Sequence, residues 1–398
     1  MNKRYKKKNK ILKQIKILLF LCLIIITLIP VVNFVAADYG DNKDFYEKIN
    51  DLLDCLDFAD IEKFYNEFAG DLTRGSSFKD EVRELISGKE GRNFKDVISY
   101  FINAITGNIK EILPSLLIVL IIAIVSGMFS SVGFNTKGVK DAVFLVCYAA
   151  ASGILFTDTA KISVDSLSFL SNTCISIQSS FPLITTVSSL CGESNKIKVL
   201  SPICAFITQL IGFSVLKIMI PAIIGICALS SVSALSEKSS LSSTRDAIVD
   251  VFKWIIGISV SLLSVFTSIS GLGCSARDSI SLKTLKYTVG NTVPIIGGFA
   301  KEGVDVVISA AQVIKSGIGS VFMVLIVYVF AKQFLRLGCF LLLLNIVNAL
   351  CMPFADKRFC DMICGFKKTV SLIIVLFVAV TVLFFICCYV LLLTNTTI

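Results

Sequence analysis

From Lys286 the chain reads Lys286-Tyr287-Thr288-Val289-Gly290-Asn291-Thr292-Val293-Pro294-Ile295-Ile296-Gly297-Gly298, and Asp305 follows shortly after. Glycine and proline at this density break a helix. In an apolar setting, a broken helix frees backbone N–H and C=O groups that must be buried in protein or line a watery cavity, and transporters build binding sites this way. Gly290, Asn291, Pro294, Gly297, Gly298 and Asp305 are therefore the candidate re-entrant or pore-lining element. The plainer reading of the same residues is a membrane-surface loop between amphipathic helices.

Other chemistry is scarce. The sequence has no histidine, which removes the commonest general base and the favoured metal ligand. Serine nucleophiles lack that base, and a Ser–Lys dyad cannot be picked out among so many serines. Cys360 and Cys364 stand at i, i+4, but a zinc site needs two further ligands. No G-x-x-x-x-G-K-[ST] run is present to cradle a nucleotide phosphate, so any energy-driven role needs a separate motor. Asp250 and Lys253, one helical turn apart, read as interfacial charges. The expectation is a non-enzymatic protein with no catalytic residue, no metal and no cofactor.

The elements that would position such a site are apolar. Hydrophobic residues make up 55% of 398 positions and charged residues only 17%, where a soluble chain carries roughly a quarter charged. Much of the surface therefore faces something other than water. Charge is unevenly placed: residues 1–16 hold eight Lys/Arg and no acid, and residues 38–110 hold ten bases against sixteen acids. The basic excess lies at the N-terminus and around apolar runs, a pattern of membrane orientation. It does not suggest nucleic acid. Of the fourteen cysteines, most lie in apolar runs and behave as small hydrophobes. Residues 38–110 hold only Cys55 and cannot form an internal disulfide.

Residues 1–37 read as a signal peptide: a basic segment to Lys16, an apolar run Ile17–Ile29, then Val35-Ala36-Ala37 before Asp38. An uncleaved anchor helix is the alternative, and either sends Asp38 across the membrane. Residues 38–110 form a small acidic domain of three or four helices, with Ile49, Leu53, Ile61, Phe64 and Phe68 at helical spacing. Its core is marginal at this size, so docking onto the membrane body or a partner is expected. Residues 111–398 form the polytopic transmembrane domain. Expected spans are 112–131, 142–157, a tight pair 199–216 and 218–235 turning at Lys217, 247–273, a pair 318–331 and 337–354, and 370–393. Residues 158–198 read as amphipathic helices on the membrane. The fold class is all-α, a polytopic helical membrane protein of about seven to eight spans with a small extracytoplasmic helical domain. In an eight-span topology Lys332 and Arg336 fall outside, against the positive-inside rule. Small residues such as Ser126, Gly127, Gly212 and Gly257 favour close helix packing; a Ser-lined conduit is the alternative.

The strings Arg277-Asp278, Lys286-Tyr287, Gly290-Asn291-x-x-Pro294-x-x-Gly297-Gly298 and Asp305, with Ser201-Pro202 earlier, resemble the stage III sporulation protein AE family of endospore-forming bacteria. Length, leader, acidic domain and polytopic remainder fit it across the whole chain. The resemblance implies a place in the mother-cell membrane around the forespore, with residues 38–110 extracytoplasmic. It implies partners: other membrane proteins of the stage III sporulation A operon, a forespore membrane protein, and a separate cytoplasmic secretion-type ATPase. It implies a channel or secretion-like complex that links the two cells and supports late forespore development. It brings no catalytic residues.

Three other readings stand beside this one. A stand-alone secondary transporter or permease predicts inverted repeats and intramembrane ionisable groups, and no convincing repeat is visible. An intramembrane hydrolase lacks its dyad. A scaffold that conducts nothing is indistinguishable by sequence from a pore-lining subunit.

Overall fold

A computed structural model describes residues 43–69, 76–87, 94–131, 137–191, 194–233, 241–258 and 297–392, together with 261 and 265. The expected signal peptide lies outside them. Every regular element among the described residues is helical.

Three short helices come first: α1 (Lys43–Asp54), α2 (Ala59–Ala69) and α3 (Phe78–Ile86). Each turns one apolar stripe inward, namely Ile49 and Leu53, then Ile61, Phe64 and Tyr65, then Phe78 and Val82, all buried. Their ends are fixed by polar caps. Asp57 accepts from the Ala59 N–H at 2.9 Å, and Ser77 accepts from the Asp80 N–H at 3.1 Å. Tyr65 and Phe78 meet edge to face, with centroids 5.8 Å apart. Asp54 closes the unit on its wet side, pairing with Lys79 at 2.8 Å and Arg83 at 2.5 Å.

The remainder is a bundle of long helices: α4 (Phe94–Ser131), α5 (Lys137–Ser179), α6 (Phe181–Leu190), α7 (Ser194–Ser214), α8 (Ile220–Ser233), α9 (241–258), α10 (Gly297–Cys351) and α11 (Lys357–Leu392). The antiparallel pair α10 and α11 forms its centre, with α4, α5 and α6 against it. The acidic unit does dock on the body: α1, α2 and α3 all pack on α10, and α2 also on α5.

Five stretches of the described helices are long and apolar enough to cross a membrane: Phe101–Phe129, Gly138–Leu190, Ser201–Val232, Ile308–Cys351 and Lys357–Phe385. That is fewer than the expected spans: two expected pairs are each one continuous helix, and the expected span 247–273 runs beyond the described residues. Residues 158–179 extend α5 instead of lying separately on the membrane. The run Lys332–Arg336 contains no glycine or proline, so α10 passes straight through where a hairpin was expected. At Lys217 the chain widens into one π-helical turn, Val215–Met219, and continues into α8. Pro221 has no N–H to return to the Lys217 carbonyl, and the wider turn, in which the Ile220 N–H reaches the Val215 carbonyl, absorbs the mismatch. In α4 the helix runs unbroken from 94 to 131, past residue 110.

Candidate functional site: paired charges within the bundle

Of the six residues expected to form a re-entrant element, Gly290, Asn291 and Pro294 lie outside the described residues. Gly297 and Gly298 open α10, and Asp305 follows two turns later on the same helix. Cys360 is buried and Cys364 half-buried in α11. The Cys364 sulfur accepts from the Asn348 side-chain amide at 3.7 Å.

The structure gathers charged and polar groups that are far apart in sequence into two sites. The first joins three helices. Arg336 Nη2 lies 3.5 Å from Glu111 Oε1 on α4 and 3.5 Å from Asp165 Oδ2 on α5. One turn away Gln333 donates to the Ser166 hydroxyl at 2.5 Å, and both are buried. Along α5 the buried hydroxyls Thr159, Ser163 and Ser166 share this face, with Ser163 returning a bond to the Thr159 carbonyl. Asp158 Oδ2 and Thr159 Oγ1 are buried without a hydrogen-bond partner.

The second site joins α8, α9 and α11. Arg245 is 4% exposed and donates to Asp246 Oδ1 through Nε at 3.0 Å and Nη2 at 2.8 Å. Lys368 donates to the other oxygen of Asp246. The guanidinium fits only because residue 365 is glycine: a Cβ there would stand 2.5 Å from Arg245 Nη1 and 2.9 Å from Ser230 Cβ. Nearby, the Tyr148 hydroxyl donates to the Ser231 carbonyl at 2.7 Å, tying α5 to α8. Aromatic contacts continue toward the α10–α11 turn, with Phe144 and Tyr148 both edge-on to Phe359 and Arg358 over the Phe144 ring.

Both sites were missed in the sequence because each charge, taken alone, resembles a span end or a loop. The signal that was present is the run Lys332–Arg336 itself, which contains no glycine or proline. A charge inside an unbroken helical run needs a partner across the bundle. What these arrangements do chemically is hold helices in register. Glu111 and Asp165 share Arg336, and Asp246 holds both Arg245 and Lys368.

The family model described as stage III sporulation protein AE matches residues 76–395. Among curated proteins, the stage III sporulation protein AE of Bacillus subtilis (strain 168) is 20% identical over 339 residues, covering 83% of this chain and 84% of that one. No solved structure matches. With most of its length matched by that model and its helices apolar enough to cross a bilayer, the chain belongs to the stage III sporulation protein AE family of sporulation membrane proteins.

Proposed function

We propose that this protein is a non-enzymatic membrane subunit of a channel, or secretion-like, complex that connects mother cell and forespore. Family membership over residues 76–395 is the observation that carries this reading. A bundle of long apolar helices bearing a small acidic unit on one side of it fits such a subunit. In this reading the chain sits in the mother-cell membrane around the forespore, with α1–α3 on its extracytoplasmic face. Its partners are the other membrane proteins encoded with it, a forespore membrane protein, and a cytoplasmic ATPase that supplies the energy. Helix packing held by paired charges suits an assembly component.

Deletion of the gene, followed by microscopy and a late forespore reporter, tests the proposal. The expected result is arrest after engulfment, with small forespores and a silent reporter, restored by the full-length gene. Normal spores with normal reporter activity would refute it and favour a stand-alone transporter.

A further inference from the structure

The helices of this bundle are longer than a bilayer is thick. At 1.5 Å per residue, α10 and α11 run for roughly 80 and 55 Å, against a hydrocarbon core of about 30 Å. Hydropathy alone places the last span at 370–393 and another at 318–331.

The acidic unit fixes the level. Phe64 of α2 meets Phe322 with centroids 6.1 Å apart, and Gly317 lies against Ile86 and Val82 of α3. This unit exposes Asp60, Lys63 and the Asp54–Lys79–Arg83 cluster. Such a surface does not enter hydrocarbon, so the part of α10 that it covers, about residues 310–325, lies outside the bilayer. Protein encloses much of this part of α10: Ile314, Lys315, Ile318, Phe322, Leu325 and Ile326 are all buried. The adjoining part of α11 packs into the same core, with Phe377 and Phe384 against Phe330, and Phe377 against Phe334.

Just beyond lies the Arg336–Glu111–Asp165 ring. Lys217 falls near the same level: α7 and α8 run antiparallel to α5, with Gly212 against Ser171 and Cys174, and Ser231 against Tyr148. Lys217 is exposed, as a side chain reaching headgroups should be. On the far side of the ring, α4 and α10 run to a second shared end where Gly127 abuts the Phe354 carbonyl. From Glu111 to Gly127 is about 24 Å of helix, close to a bilayer core. Within that interval Asp246 is paired with both Lys368 and the buried Arg245, while the exposed Lys357 and Asp361 stand in the first turns of α11, next to the Gly127–Phe354 end.

We infer that the bilayer wraps only the half of the bundle between the Arg336–Glu111–Asp165 ring and the Gly127–Phe354 end. The other half of the α10–α11 core, together with the acidic unit, stands in water. In this arrangement α11 crosses at about 357–375, and its most apolar segment forms the core of an external body.

Thiol accessibility decides between the two placements. Val382 is 46% exposed and stands near the middle of the 370–393 run, whereas Ile121 is 60% and Ile346 54% exposed within the wrapped half. Val382→Cys, Phe206→Cys, Ile121→Cys and Ile346→Cys are made in a background with the native cysteines replaced by serine or alanine, which serves as the blank. Each is treated with a water-soluble maleimide in opened membrane fragments, so that sidedness plays no part. Since the thiolate is the reactive form and needs water, Val382→Cys and Phe206→Cys should label roughly tenfold faster than the other two. Equal protection of all four, or faster labelling at 121 and 346, would overturn the inference. If a cysteine variant fails to accumulate, Val382→Trp and Ile121→Trp in a Trp254→Phe background give the same answer. In vesicles of dibrominated phosphatidylcholine, only Ile121→Trp should be quenched; quenching of Val382→Trp would overturn the inference.

Discussion

Arg336 on α10 sits between Glu111 on α4 and Asp165 on α5, its Nη2 3.5 Å from a carboxylate oxygen of each. One cation thus fixes the relative height of three helices. Arg336→Glu would place three carboxylates together, a loss of about 1–3 kcal/mol for charge-assisted contacts at a partly exposed site. Adding Glu111→Arg should recover part of it. Thermal unfolding in detergent checks both; an Arg336→Glu variant as stable as the parent would mean that the ring contributes nothing to register.

Gly365 and Arg245 form a coupled pair. Gly365→Ala presses a methyl group onto the guanidinium and onto Ser230, an overpacking worth about 1–3 kcal/mol. Removing the guanidinium with Arg245→Ala relieves half of that clash but leaves Asp246 to Lys368 alone. The two substitutions should therefore be less costly together than the sum of their separate effects. A double-mutant cycle on unfolding midpoints measures this, and strict additivity would show that the contact is loose.

Much of the architecture was legible in the residues. The short helices α1 and α2 follow from Ile49, Leu53, Ile61 and Phe64 at helical spacing among acids, while their small core left docking open between a partner and the body. The long apolar helices follow from composition. What misled was treating a charge inside an apolar run as a turn. Lys332–Arg336 contains no glycine, proline or asparagine, and at Lys217 the single Pro221 is accommodated by a wider turn. The structure keeps these helices continuous, using Glu111 and Asp165 as partners for Arg336 and a π turn ahead of Pro221. Close approaches such as Gly127 on Phe354 depend on tertiary placement, and no local pattern announces them.

Gly127 has less latitude than Gly365. A Cβ at 127 would stand 1.8 Å from the Phe354 carbonyl oxygen and 2.8 Å from its carbon. Backbone cannot step aside as a side chain tip can. Gly127→Ala should separate α4 from the α10–α11 turn and cost more than Gly365→Ala, beyond about 3 kcal/mol. Reduced accumulation and increased protease sensitivity between α4 and α5 are the expected outcome. Parent-like behaviour would rule out this helix approach.

Docking of the acidic unit rests heavily on Phe64, buried against Phe322. Phe64→Ala removes a ring from a filled contact, costing about 3–5 kcal/mol. The loss falls on docking and not on the wrapped half of the bundle. Limited proteolysis should release α1–α3 from the variant while the remainder stays intact in the membrane. Simultaneous loss of both would show that the unit and the bundle fold as one.

The same unit carries a pH dependence of definite sign. The side-chain hydrogen bond from Lys79, with further attraction from Arg83, outweighs desolvation and holds the Asp54 carboxyl below its ordinary value of 3.8. A carboxyl depressed in the folded state stabilises above its unfolded pKa. That contribution is present at neutral pH and is lost as pH falls below 3.8 through the folded value. Hydrogen exchange of α1 and α3 should therefore quicken on acidification through that window. Asp54→Asn should exchange faster than the parent at pH 7 and show a smaller acid response, because the pair is already absent. An unchanged acid response in Asp54→Asn would assign the effect to other carboxylates of the unit.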